Sequence, residues 1–255
     1  MFGKKKEPLD SKAVLDAVEK EIYAYLKPLG FRRHGRTLHR FVEGDISQVV
    51  NFQAARIYPG KYYVNLGIRI PECAERTFSP SEEKKAFYHE YECNLRFRLG
   101  VSVRKDAQCF DLEKPVEKQV KAILKALEKT AIPVFRTVNG REAFLACHKE
   151  LTKWHTLGAG LLDECMIYGR MGELSKAQEC FDRYYLEELA EYHEILKNGE
   201  KYYLRKGERI VYMGQDITAN KSGYVTLYGA DRSHVEYLEK LAAKLGLSIP
   251  REETV

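Results

Sequence analysis

The chain has no apolar run approaching the roughly 20 residues that a helix needs to cross a bilayer. Its first residues, MFGKKKEPLDSK, are basic with no apolar stretch behind them, so no secretory signal is expected there. A cytoplasmic protein that does not engage a membrane is the expectation. No CxxC pair occurs among Cys73, Cys93, Cys109, Cys147, Cys165 and Cys180. Irregular spacing without an export signal predicts reduced thiols, partly buried as small hydrophobes. HExxH and GxSxG are absent, which removes two strong catalytic signatures. Gly158-Ala159-Gly160 lacks the third glycine and the preceding strand of a dinucleotide loop. His89 with Cys93, and His148 with His155, are isolated pairs without a third ligand at useful spacing. No metal, no cofactor and no catalytic residue is assigned.

What is present is globular. The chain has 255 residues, 44% apolar and 31% charged, enough for one large domain or two ordinary ones. Charge is unevenly spread. Residues 151–200 hold five basic and ten acidic residues, and residues 201–255 hold nine and seven. The total of +5 therefore leaves +8 on residues 1–150. A basic first part precedes an acidic helical one, which suits nucleic acid, an acidic partner or docking of the two parts.

Periodicity divides the chain at about residues 138–141. Before that point the pattern is mixed. A helix is expected from about Ser11 to Lys27, with Val14, Val18, Ile22, Tyr25 and Leu29 as its apolar stripe. Pro28 and Gly30 end it. Thr37 to Val42, Ile46 to Gln53 and the stretch around Tyr62 to Ile70 alternate with a period of two. Their short connections, Glu43-Gly44-Asp45 and Tyr58-Pro59-Gly60, argue for an antiparallel meander. Ser79-Pro80-Ser81-Glu82 reads as a capping box that starts a helix running to about Tyr91. Leu95 to Val103 is a fourth strand. Pro115 opens a helix whose stripe is Val116, Val120, Ile123, Leu124 and Leu127, closed by Ile132-Pro133.

From Arg141 to about Asn198 the pattern is helical, with breaks near Gly158-Ala159-Gly160 and from Gly169 to Gly172. Tyr202 to Lys206 and Arg209 to Met213 read as a hairpin, Tyr224 to Tyr228 as a short strand, and Ser233 to Leu245 as a last helix. The expected architecture is α+β: an antiparallel meander with flanking helices over residues 1–138, then a mostly helical region with a small hairpin over residues 139–255.

Several blocks in order carry a resemblance. They are Leu26-Lys27-Pro28-Leu29-Gly30-Phe31, Gly35-Arg36-Thr37, Arg40, Val49-Val50-Asn51-Phe52-Gln53 and Val64-Asn65-Leu66-Gly67. Leu95-Arg96-Phe97-Arg98-Leu99-Gly100 and Ile132-Pro133 complete the set. Residues of about 10–145 thereby resemble a bacterial family catalogued as a domain of unknown function, DUF4304. Leu38 departs from the pattern, standing where the family often has an aromatic. The resemblance implies a fold and supplies no catalytic residue. Residues 161–184 resemble one tetratricopeptide-type hairpin through Tyr168, Gly172, Ala177 and Phe181, although Glu164 and Cys165 depart from its pattern. Stable arrays of such hairpins need about three units.

Two surfaces stand out. Asn51, Gln53, Asn65 and Arg69 alternate onto one face of neighbouring strands, and Arg96 joins them. Amides and guanidinium groups grip carboxylates, phosphates or peptide backbone through directed hydrogen bonds. They contain no general base, so the face suits binding over catalysis. The second surface is Arg32, Arg33, Arg36 and Arg40, with His34, His39, Phe31 and Phe41 interleaved, a composition that follows a nucleic-acid backbone. The expected work is therefore non-catalytic binding of another protein, as in an immunity or regulatory partner. Nucleic-acid binding through residues 31–40 is the first alternative. An enzyme with a site between the two halves is the second.

Overall fold

A computed structural model describes residues 10–43, 45–73, 85–99, 109–152, 160–212, 214–227 and 229–251. Six features expected from sequence lie outside them: Gly44 in its turn, the capping box at residues 79–82, the strand end beyond Leu99, Gly158-Ala159, and the strand ends Met213 and Tyr228. The side chains of Cys147, His148 and His155 are likewise not described. The chain divides into two compact units, Met1–Gly160 and Leu161–Val255, so the division falls after the change of pattern at 138–141. No helix among the described residues is long and apolar enough to cross a membrane.

The first unit is an antiparallel meander with helices on one face. Helix α1 spans Ser11–Leu26 and begins at Asp10, whose carboxylate accepts the backbone N–H groups of Lys12 and Ala13. That cap satisfies two donors which a helix start leaves unpaired. The chain then reverses at Gly30, whose φ of 87° favours a residue without Cβ. The strands are β1 (Arg32–His34), β2 (Thr37–Val42), β3 (Ile46–Ala54), β4 (Lys61–Arg69) and β5 (Leu95–Arg98), paired in sequence order. A short β6, Phe110–Asp111, pairs with the start of β4. Gly35, at φ 56°, takes the first position of the two-residue turn between β1 and β2, where a tight hairpin turn demands positive φ.

Leu38, Val50, Phe52, Tyr62, Val64, Leu66 and Ile68 are buried on one sheet face. Burying each such side chain contributes about 1.5–3 kcal/mol. The helical layer meets this face through Leu15, Val18, Glu19, Ile22 and Leu26 of α1. The buried stripe is therefore displaced from the expected one: Tyr25 and Leu29 are only half-buried, and Glu19 is at 1% exposure. Its carboxylate receives Arg33 and Arg36 from the β1–β2 hairpin, so an ion cluster occupies a position that hydrophobic periodicity alone skips.

Helix α2, Val116–Ala126, does not stop at Ile132-Pro133 as expected. It widens into one π turn over Leu127–Ala131 and continues as α3, Ile132–Thr137. The Ile132 N–H reaches back to the Leu127 carbonyl. The wider turn carries the chain past Pro133, which lacks a donor and crowds the preceding turn of an α-helix. Ile123 and Leu127 are buried, whereas Val116, Val120 and Leu124 are half-buried and line a groove of about 710 Å³ with Glu21 and Glu128.

Helix α4, Arg141–Thr152, starts at an ion hub. Arg141 makes paired hydrogen bonds to Asp45 and to Glu72 and lies 3.5 Å from Glu43. Its hydrogen bonds to Glu72 hold its pKa above the ordinary value.

The expected helix ending near Tyr91 is not formed in its described portion. Residues 85–89 are non-helical, and Glu90–Glu92 make a single 3-10 turn. The Glu92 carboxylate accepts the His89 backbone N–H, and the aromatic side chains of the segment dock on the sheet. Tertiary contacts here outweigh a local start signal.

The second unit holds α5 (Gly160–Met171), α6 (Leu174–Asn198), β7 (Glu200–Leu204), β8 (Arg209–Tyr212), β9 (Gln215–Thr218), β10 (Gly223–Leu227) and α7 (Ser233–Leu245). Gly169 sits inside α5 and does not break it. Its missing side chain admits Leu245, which would lie 3.2 Å from an added Cβ. Ala177 and Phe181 are buried along α6, and Gly172 makes the turn. The expected pairing of the strands at 202–206 and 209–213 is replaced by two nested pairs, β7 with β10 and β8 with β9. A period of two identifies strands and leaves their partners undetermined.

Candidate functional site: the polar face of the meander

The face opposite the helices carries the polar alternation. In register across it lie Thr37, Asn51, Asn65 and Arg98. The next row is His39, Val49, Gly67 and Arg96, and the next Phe41, Ser47 and Arg69. Gln53 faces Tyr63. Register thus brings Asn51, Gln53, Asn65, Arg69 and Arg96 onto one face.

Half of this face is covered by the chain itself. Phe87 stacks on His34 with ring centroids 3.6 Å apart, and His39 lies 5.9 Å from the same ring. The Arg69 guanidinium rests 4.0 Å above the Tyr88 ring. Glu90 accepts the Arg96 Nε–H at 2.7 Å. His89 Nδ1 lies 3.4 Å from Thr37 Oγ1. Cys93 seats against Gly67, where an added Cβ would meet its Sγ at 2.6 Å. Burial drives the Cys93 thiol pKa up, so it stays a protonated packing group.

The cover also buries groups with no polar partner. His39 Nδ1 and Ser47 Oγ are buried without a hydrogen bond. Burial lowers the His39 pKa, and the charges of Arg32 and His34 lower it further. The imidazole is therefore held neutral at physiological pH.

The other half is open among the described residues. Asn51 donates to Thr37 Oγ1 at 3.1 Å, and Asn65 donates to Gln53 Oε1 at 2.8 Å. Asn65 is buried at 3% exposure, while Gln53 and Arg98 are exposed. The Arg98 guanidinium lies 4.0 Å above the Tyr63 ring, a contact that orients the cation without neutralising it. Sequence reasoning left out the Arg98–Tyr63 pair. Its signal was present in the alternation of Arg96 and Arg98, which sends both to one face. The register with β4 adds the tyrosine.

The second basic set is dispersed. Arg33 and Arg36 share the Glu19 carboxylate, and Arg36 also meets Asp16 at 3.1 Å. Burial raises the Glu19 pKa, opposed by the charges of Arg36 and Arg33. Arg40 donates to Gln48 at 2.8 Å and to the Leu29 carbonyl at 2.6 Å, and lies over Phe31. Arg32 is exposed on the β1 edge, on the opposite face of the strand from Arg33. Three of these four arginines are thus engaged within the first unit.

Among the described residues, no group of three or more His, Cys, Asp or Glu side chains is placed to hold a metal ion. Cys73, Cys93, Cys165 and Cys180 are buried and Cys109 is half-buried, and none of these five is in a disulfide. Residues 22–137 match the family model of a domain of unknown function, DUF4304, in agreement with the resemblance carried by the sequence blocks. No curated protein and no solved structure matches the chain.

Proposed function

We propose that the protein is a non-catalytic binding module that holds another protein on the open half of its polar sheet face. One observation carries this reading. Gln53 and Arg98 are exposed beside Asn51 and Asn65, on strands whose opposite face is packed into the core. Buried Asn65 holds the Gln53 amide in place, so the exposed Gln53 and Arg98 groups are presented at fixed spacing. Amide and guanidinium groups do not change protonation state near neutral pH, and they suit recognition better than acid–base chemistry. A module of this kind fits an immunity or regulatory partner, by analogy of architecture.

A photo-crosslinking residue placed at Gln53 of the full chain, in its native cells, tests this. A control crosslinker goes at Lys129, exposed in the π turn of the helical layer. A discrete protein adduct from position 53 that is lost on replacing Asn51 and Asn65 by Ala supports the reading. Equal adducts from both positions, or none from position 53, refute it.

A further inference from the structure

The chain lays its own segment Phe87-Tyr88-His89-Glu90-Tyr91-Glu92 across one half of the polar sheet face. This segment follows Phe87, Tyr88 and His89 with two acids, Glu90 and Glu92, on either side of Tyr91. It uses one carboxylate on Arg96 and one ring against Arg69. The open half offers a second guanidinium: Arg98 is cushioned on the sheet's own Tyr63, with Asn65 in its row and Gln53, bonded to Asn65, in the next. Arg98 has no carboxylate partner among the described residues. A guanidinium so held donates two parallel hydrogen bonds to a planar carboxylate.

We infer that the open half takes an acidic, aromatic-bearing segment of a partner protein, with a carboxylate on Arg98 and an aromatic side chain beside it. The inference rests on the binding reading above and adds the chemistry of the partner. The chain's own segment is the template for the occupant, and the positive character of the face supplies the charge complementarity. Arg69, Arg96 and Arg98 stand on it, against Glu90 and Glu92 from the cover. Glu92 is itself paired with Lys85.

A synthetic peptide of sequence Phe-Tyr-His-Glu-Tyr-Glu, titrated into the isotope-labelled full chain and followed by NMR, is the test. The expected result is saturable shifts at Gln53, Asn65 and Arg98. Arg98→Glu and Arg98→Gln should weaken binding by roughly tenfold or more, as should Gln in place of both peptide Glu residues. Arg98 is exposed, and the amide spectrum of each variant reports whether its fold is kept. Equal affinity of the Gln peptide, or unchanged affinity of a folded Arg98 variant, overturns the inference. So do shifts confined to Arg69, Arg96 and Cys93, which mean that the peptide displaces the chain's own cover. The two proposals fail separately. If replacing Asn51 and Asn65 abolishes the position-53 adduct while Arg98→Glu leaves it intact, the binding face stands and its acidic partner falls.

Discussion

Gly67→Ala tests how the cover is seated. Gly67 lies in the middle of β4, opposite Val49 and Arg96. A Cβ there would approach Cys93 Sγ at 2.6 Å and Cys93 Cβ at 2.9 Å. Neither atom has an easy retreat, because Cys93 is 2% exposed and closes the 3-10 turn through its N–H to the Glu90 carbonyl. Overpacking of this kind costs about 1–3 kcal/mol. Without the clash, Gly→Ala at a compatible strand position would stabilise by about 0.4–1 kcal/mol through the unfolded chain. The sign of the change is therefore diagnostic. We expect a net loss of about 0.5–2 kcal/mol in urea unfolding. Hydrogen exchange should rise in residues 85–93, because moving Cys93 draws Glu90 away from Arg96. Cys93→Ala alone should cost about 1 kcal/mol as a small cavity. The double variant removes the Sγ contact and keeps the Cβ contact, so it should be less destabilised than the sum of the two by about 1 kcal/mol. Additive effects, or a Gly67→Ala chain more stable than the parent, would refute this account of the cover.

Three further outcomes are expected. Arg141→Ala should destabilise the first unit by about 2–4 kcal/mol in urea unfolding, because it strands the carboxylates of Asp45, Glu72 and Glu43 together. Burial raises the Glu19 pKa in the folded chain, so stability tied to its protonation is full below the unfolded value near 4.5 and is lost as pH rises through the folded one. Glu19→Gln should remove that decline, and parallel urea midpoints for variant and parent across this window would contradict it. Arg33, Arg36 and Arg40 are engaged internally, so any oligonucleotide binding should show a log–log salt slope no steeper than about −2, and a slope near −4 would restore the basic segment as a nucleic-acid surface.

The polar face was legible in outline. The alternation of Ser47, Val49, Asn51 and Gln53 against Ile46, Gln48, Val50 and Phe52 assigns each side chain to a face before any partner strand is known, since strand geometry fixes the period at two. Gln48 shows where that reading stops. It stands in the apolar row and is fully buried, and its amide donates to the carbonyls of Phe135 and Val138. Those acceptors lie far along the chain at the end of α3, and no local pattern points to them. Glu19 is hidden from hydrophobic periodicity for the same reason. Its burial is tolerable only because Arg33 and Arg36 reach it from the next hairpin.

The sequence alone determined the class of the fold, the meander order, most element positions and the matching of residues 22–137 to a family, because each depends on residue type and short-range spacing. Tertiary structure alone decided which polar groups are engaged. It turned the segment after residue 84 from an expected helix into a cover, passed α2 through a π turn at Pro133 and nested the strands of the second unit. It also left Arg98 exposed on Tyr63, without a carboxylate partner among the described residues. Each of these results from contacts between residues distant in the chain or from the wider helical turn, and such contacts outweigh local propensities of a few tenths of a kcal/mol to about 1 kcal/mol.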